Sequence, residues 1–189
     1  EALADYNTLF LNGWNEMMAK KLGFLKFEKS SDDPLVKELV EILPLVETDM
    51  TIFFRKLASL PIDGQIPEGA SLPNSLLDAY YRPEELTEKY TATMNGWLRA
   101  YQHRVQNTSM SEEERRQRMN STNPKYVLRN YLAQLAIDKA EAGDFTLVEE
   151  FLELLRNPYD EQPKKEHYAG KRPEWARNRA GCSMLSCSS

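Results

Sequence analysis

The sequence predicts an all-α fold, and three observations carry that expectation. Apolar residues recur at steps of three and four along most of the 189 residues, the period of one helix face. No segment alternates with the two-residue period of a strand. Capping and stop residues fall where the apolar stripes begin and end.

The first stripe is Leu3, Tyr6, Phe10, Trp14 and Met17, the pattern of an amphipathic helix. Gly23 is its expected stop, because glycine enters the left-handed region at little cost. In SSDDP, Asp33 is the expected cap and Pro34 the first helical residue. That helix carries Leu35, Leu39, Ile42 and Leu43 until Pro44 interrupts or bends it. The next segment places Met50, Phe53, Phe54 and Leu57 on one face. Residues 61–75, with three prolines and two glycines, read as a loop on the surface of one helical body.

A long helix is expected from Pro83 to Val105, with Leu86, Tyr90, Met94, Trp97, Leu98, Tyr101 and Val105 as its stripe. A short charged helix follows, where Ser111 and Glu114 have the spacing of a capping box. Asn123 and Pro124 then predict the start of a helix with Leu128, Tyr131, Leu132, Leu135 and Ala136 buried. Gly143 closes it, and Asp144 or Thr146 caps a partner helix bearing Leu147, Val148, Phe151, Leu152 and Leu155. Asn157 and Pro158 end that helix, so the two read as an antiparallel hairpin. The organisation expected is a helical region over 1–158 and an irregular basic tail over 159–189, lying along the body and anchored at points such as Tyr168 and Trp175.

Apolar residues make up 41% and charged residues 28%, which suits a globular domain rather than a disordered or fibrous chain. No apolar run is long enough to span a membrane, and no signal peptide is visible. The first residue is Glu1 rather than methionine, so the native start and any upstream domain are expected to be missing. A net charge of −5 argues against nucleic acid as the main partner, since phosphate binding needs a basic surface. Lys164, Lys165, Lys171, Arg172, Arg177 and Arg179 do crowd the end, against Glu161, Glu166 and Glu174. They form either a solvated tail or a docking strip for an acidic surface.

Glycine-rich phosphate loops and nucleophile elbows are absent from the sequence. Its two histidines, His103 and His167, lie off the apolar stripes and are expected to be solvated. They match no zinc spacing with the two cysteines. The carboxylate runs at 112–114 and 149–150 suit helix starts and solvent. Arg129, Asn130 and Gln134 form a polar strip that meets either another helix or a ligand, the helix being the first expectation. Both cysteines, Cys182 and Cys187, fall in the last eight residues. They are either exposed thiols at a loose end or a mobile thiol carrier.

The stretch NPKYVLRNYLAQLAIDKAEAGDF, the later PY and KRPEW, and the terminal CSS resemble the C-terminal part of the selenoprotein O family. ALADYNTLFLNGWNEMMAKKLG and DMTIFFRKL resemble its middle region. The resemblance implies the C-terminal helical part of a kinase-like protein, a helix bundle with an irregular cysteine-bearing tail. It also implies a protein adenylyltransferase that uses ATP and magnesium to move AMP onto Ser, Thr or Tyr hydroxyls of proteins. The family's nucleotide-binding lysine, partner glutamate and metal-binding Asp and Asn have no matching motif here. They would lie in the upstream kinase-like domain, and this chain alone would be inactive. Some members carry selenocysteine third from the end, the place Cys187 holds here. Cysteine members imply a disulfide to a residue near the active site, so oxidation would gate activity. Arg177 and Arg179 would favour the thiolate, and Cys182 would be a resolving thiol. The competing expectations are a non-catalytic helical interaction module and a thiol oxidoreductase using Cys182 with Cys187. By family, the compartment would be cytoplasmic in bacteria and mitochondrial in eukaryotes.

Overall fold

Helix α1, Ala2–Leu22, ends as expected at Gly23, whose φ is +75°. The amide of Phe24 donates to the Ala19 carbonyl at 2.7 Å, closing the last turn. A side chain at Gly23 would also collide with Arg115 and Met119, so space and backbone both demand glycine. These relations come from a computed structural model that describes residues 2–182, with side chains from Asp5 onward. Leu3, as a member of the first stripe, and Cys187 lie outside those described residues and side chains. The chain is mostly helical, with an isolated extended bridge between Thr48 and Tyr80.

The chain divides by its internal contacts into two units, residues 1–123 and 124–189. The first contains α1, then α2 at Lys29–Ile42, α3 at Met50–Ala58, α4 at Asn74–Leu77, α5 at Glu88–Gln106 and α6 at Glu112–Asn120. Its core is built on α5, which buries Tyr90, Met94, Trp97, Leu98, Tyr101 and Val105 as the periodicity predicts. Trp97 and Tyr101 stack with centroids 5.3 Å apart. Each also satisfies its polar atom: the Trp97 indole donates to the Leu35 carbonyl at 2.8 Å and the Tyr101 hydroxyl to Leu22 at 2.9 Å. Two hydrogen bonds thus tie α2 and the end of α1 to α5.

Several helix starts move from where the sequence places them. Helix α2 begins at Lys29, not at Pro34, because the Asp32 carboxylate accepts the Glu28 backbone N–H at 2.7 Å, as the reach-back of a capping box does. Pro34 then lies inside the helix, where the carbonyl it leaves unpaired belongs to exposed Ser30. Helix α5 begins at Glu88, with Thr87 capping the Tyr90 amide, and Pro83–Glu85 form only a 3-10 turn. In α3, Asp49 caps the Ile52 amide, and Phe53, Phe54 and Leu57 are buried while Met50 is exposed. The 3-10 turn at Leu43–Leu45 follows from Pro44. The capping box of Ser111 and Glu114 forms as read.

The loop over 61–75 is pinned to α5. Gln102 donates to the carbonyls of Pro61 and Gly64 at 2.9 and 2.8 Å, and Asn95 to that of Ala70 at 2.6 Å. Buried amides on an apolar stripe are therefore matched by loop carbonyls that would otherwise lack partners.

The largest departure in this unit concerns the first stripe. Tyr6, Phe10, Trp14 and Met17 are exposed, and among the described side chains of α1 only Met18, Ala19 and Leu22 enter the core.

In the second unit, α7 spans Asn130–Glu141 and α8 spans Thr146–Arg156. Helix α7 starts well after Pro124. The amides of Lys125 and Tyr126 both donate to the Pro158 carbonyl, at 2.8 and 3.0 Å, which holds the intervening segment extended. Asn123 is not a cap; its amide donates to the Lys21 carbonyl within the first unit. Leu128 is accordingly exposed, while Tyr131, Leu132 and Ala136 are buried. Gly143, with φ of +84°, closes α7 as expected. The buried face of α8 is Phe151 and Leu154 with Leu147 and Leu155 beside them; Val148 and Leu152 face outward.

Candidate functional site

The two cysteines are the candidate site residues of this chain, and Cys182 is the one the structure describes. Residues 163–169 and 174–176 form 3-10 turns laid on α7 and α8. Tyr168 packs edge-on against Phe151 at 5.0 Å, and Trp175 against Tyr131 at 6.1 Å, the two anchor points the sequence suggested. Ala176 is fully buried. Arg179 then donates to Asp138 of α7 at 2.6 Å and lies over the Trp175 ring. Gly181 turns the chain with φ of +80°, and its missing side chain leaves room for the Gln134 amide.

These steps deliver Cys182 as a free thiol into an apolar cluster with Tyr126, Tyr131, Leu132 and Phe151. A buried thiol in such surroundings behaves as a small apolar side chain more than as a nucleophile. The arginines expected to favour a thiolate are already matched by carboxylates: Arg177 by Glu174 at 3.0 Å and Arg179 by Asp138. Gln134 of the polar strip is held between Asp138, to which it donates at 2.9 Å, and Gly181.

Two polar constructions in the first unit escaped the sequence reading. Asp32 is fully buried and receives Arg104 in a two-point ion pair. The pairing, with Glu28 nearby, raises the Arg104 pKa. Arg115, also fully buried, donates to the carbonyls of Leu57, Ala58 and Leu60 at 3.4, 3.1 and 2.9 Å and to the Tyr101 hydroxyl at 3.0 Å. It closes the C-terminal end of α3, where helical carbonyls lack partners of their own. The one signal in the sequence was Met119, the single apolar residue of α6 and four positions after Arg115, which marks the inward face.

A groove of about 480 Å³ opens between α2 and α5, lined by Glu28, Glu38, His103, Arg104 and Asn107 among others. His103 is exposed there, as is His167 in the second unit. The groove does not fit a nucleotide triphosphate. Its one guanidinium is committed to Asp32, and the two glutamates would repel the phosphates. Among the described residues no three His, Cys, Asp or Glu side chains converge as a metal would require.

Comparison with known proteins gives this architecture its context. The family model described as protein adenylyltransferase SelO matches residues 1–156. The chain is 52% identical to a protein nucleotidyltransferase YdiU of Rhodopirellula baltica, covering 99% of the chain and 36% of that relative. It is 49% identical to a protein of the same name from Aromatoleum aromaticum, covering 100% and 35%, and 43% identical to one from Flavobacterium johnsoniae. The chain thus spans about a third of the length of the curated relatives it matches. With most of its length covered by that model and about half its residues shared with such relatives, the chain belongs to the protein adenylyltransferase SelO family.

Proposed function

We propose that this chain is the C-terminal helical region of a protein adenylyltransferase, a kinase-like enzyme that moves AMP from ATP to Ser, Thr or Tyr hydroxyls of proteins. The observation that supports it is the family match over residues 1–156, with relatives at 52% and 49% identity named nucleotidyltransferases. ATP and magnesium are assigned to residues outside this chain. Arg104 and Arg115, two of its most sequestered cations, do not offer themselves to phosphates, because each is engaged by protein oxygens. In this reading the chain braces the catalytic part and is inactive alone, since nucleotide chemistry depends on positioning groups it lacks.

The terminal thiol has a separate role in the proposal. Cys187 pairs with a cysteine elsewhere in the full protein, and oxidation state gates transfer. Formation of that bond releases two protons and passes two electrons to a peroxide or a small disulfide. The burial of Cys182 weighs against the Cys182–Cys187 pair of a thiol oxidoreductase.

The test uses the full-length protein with ATP and magnesium. An AMP mass increment on a hydroxyl of the protein or of a target supports the assignment, and none under reducing conditions overturns it. For the gate, Cys187→Ser should abolish the difference between oxidised and reduced protein. An oxidation effect that survives the substitution removes Cys187 from the gate.

A further inference from the structure

We propose that the N-terminal half of α1 is a seat for an apolar element from the rest of the full-length polypeptide, and that the occupant approaches most closely at Gly13. The proposal rests on the reading of this chain as part of a longer protein.

Helix α1 has two different faces. Met18, Ala19 and Leu22 enter the core of the first unit. Tyr6, Phe10 and Met17 point elsewhere, roughly 140° around the axis at 3.6 residues per turn. They are not the edge of a buried surface. Tyr6 is 63% exposed, Leu9 71% and Phe10 56%, and every residue from Asp5 to Trp14 is exposed. Tyr6 and Phe10 stack on one another at 6.3 Å, with Trp14 one turn further along.

A helical half without tertiary packing is marginal in water, because most helical stability comes from burying an apolar face. Three aromatic rings and a leucine left in solvent on one segment form the kind of patch that marks an interaction surface. Gly13 lies on this open face between Phe10 and Met17. A side chain there would meet nothing within 4 Å. Glycine in a helix interior costs about 1 kcal/mol relative to alanine. Lacking a side chain, Gly13 is the position on this face where another backbone can come nearest to the helix.

The length of the relatives decides the occupant. The chain accounts for only 36% and 35% of the two relatives described above, so nearly twice its own length remains. A segment joined covalently to α1 is present at high effective concentration, an advantage that a second copy or a separate partner lacks.

Hydroxyl-radical footprinting of the full-length protein and of the 189-residue chain tests the seat. In the chain, Tyr6, Phe10 and Trp14 should be oxidised readily. In the full-length protein they should react as slowly as Tyr101, which is buried in the core. Equal oxidation in both proteins overturns the proposal. Protection in the chain alone that grows with concentration, with a doubled mass in light scattering, overturns it in favour of self-association. Phe10→Asp and Gly13→Leu provide an independent measurement. Each should lower the melting temperature of the full-length protein by about 3 °C or more, while in the chain Phe10→Asp leaves it unchanged and Gly13→Leu leaves it unchanged or raises it, since leucine is the better helix former. No change in either protein, or equal loss in both, also refutes the seat. None of these readouts involves AMP transfer, so an inactive protein with a covered α1 would refute the function and leave this inference standing.

Discussion

Arg104 and Asp32, 72 residues apart in sequence, meet in a two-point ion pair with Nε to Oδ1 at 2.6 Å and Nη2 to Oδ2 at 3.1 Å. Asp32 also accepts the Glu28 N–H and the Ser31 hydroxyl, so one buried carboxylate starts α2 and fastens it to α5. Removing one member of a buried pair strands the other. Asp32→Ala should therefore cost about 3–5 kcal/mol, measured by urea unfolding of the chain. A loss below about 1 kcal/mol would mean that the pair behaves like a surface contact.

Arg115 closes α3 through three carbonyls at once. Arg115→Lys keeps the charge but has one compact ammonium in place of a planar fork. It should destabilise the chain almost as much as Arg115→Met, by about 2–4 kcal/mol. Full rescue by lysine in a thermal melt would show that charge matters there rather than geometry.

Gly181 combines a positive φ with the close approach of Gln134. Gly181→Ala should loosen the turn that seats Cys182. In a Cys187→Ser background the only thiol is Cys182, which should react slowly with an aromatic disulfide reagent in the native state. Gly181→Ala should speed that reaction, and an unchanged rate would mean that the turn does not hold the thiol.

Asp144 accepts the Thr146 hydroxyl at 2.6 Å and its amide at 3.0 Å, with Lys139 at 3.2 Å. These hold its carboxyl down to about 2, the Thr146 hydroxyl first among the causes. A depressed folded pKa gives stability that is present above the ordinary carboxylate range and lost as pH falls through about 2. Asp144→Asn should therefore be less stable than the parent chain at neutral pH, with the gap closing in strong acid. Carbon-13 titration of Asp144 near 4 would contradict this.

Helix α5, the capping box at Ser111 and the glycine stops at 23 and 143 were legible because each depends on neighbours close in sequence. The starts of α2 and α7 were not. The first depends on Asp32 reaching back to the Glu28 amide while Arg104 holds the carboxylate, and the second on Lys125 and Tyr126 with Pro158; Arg104 and Pro158 are partners that no local window contains. Periodicity likewise found the Tyr6, Phe10 and Trp14 stripe, but a stripe says that a face is apolar and not which body covers it. Cys182 was legible as a residue of interest. Its burial was not, because it comes from the anchoring of Trp175, Ala176 and Arg179 on α7 and the helices around it.

That anchoring makes Cys182 a fixed point from which distances along the chain can be counted. Cys187 follows it by five positions, and a fully stretched chain advances about 3.5 Å per residue, so chain length confines the second cysteine to a sphere of about 17 Å radius around the first. Any sulfur it bonds must have its α-carbon within roughly 6 Å of that sphere. The radius makes the search for such a partner a matter of ruler and compass: a thiol of the complete protein lying farther out is disqualified by chain length alone, whatever its reactivity.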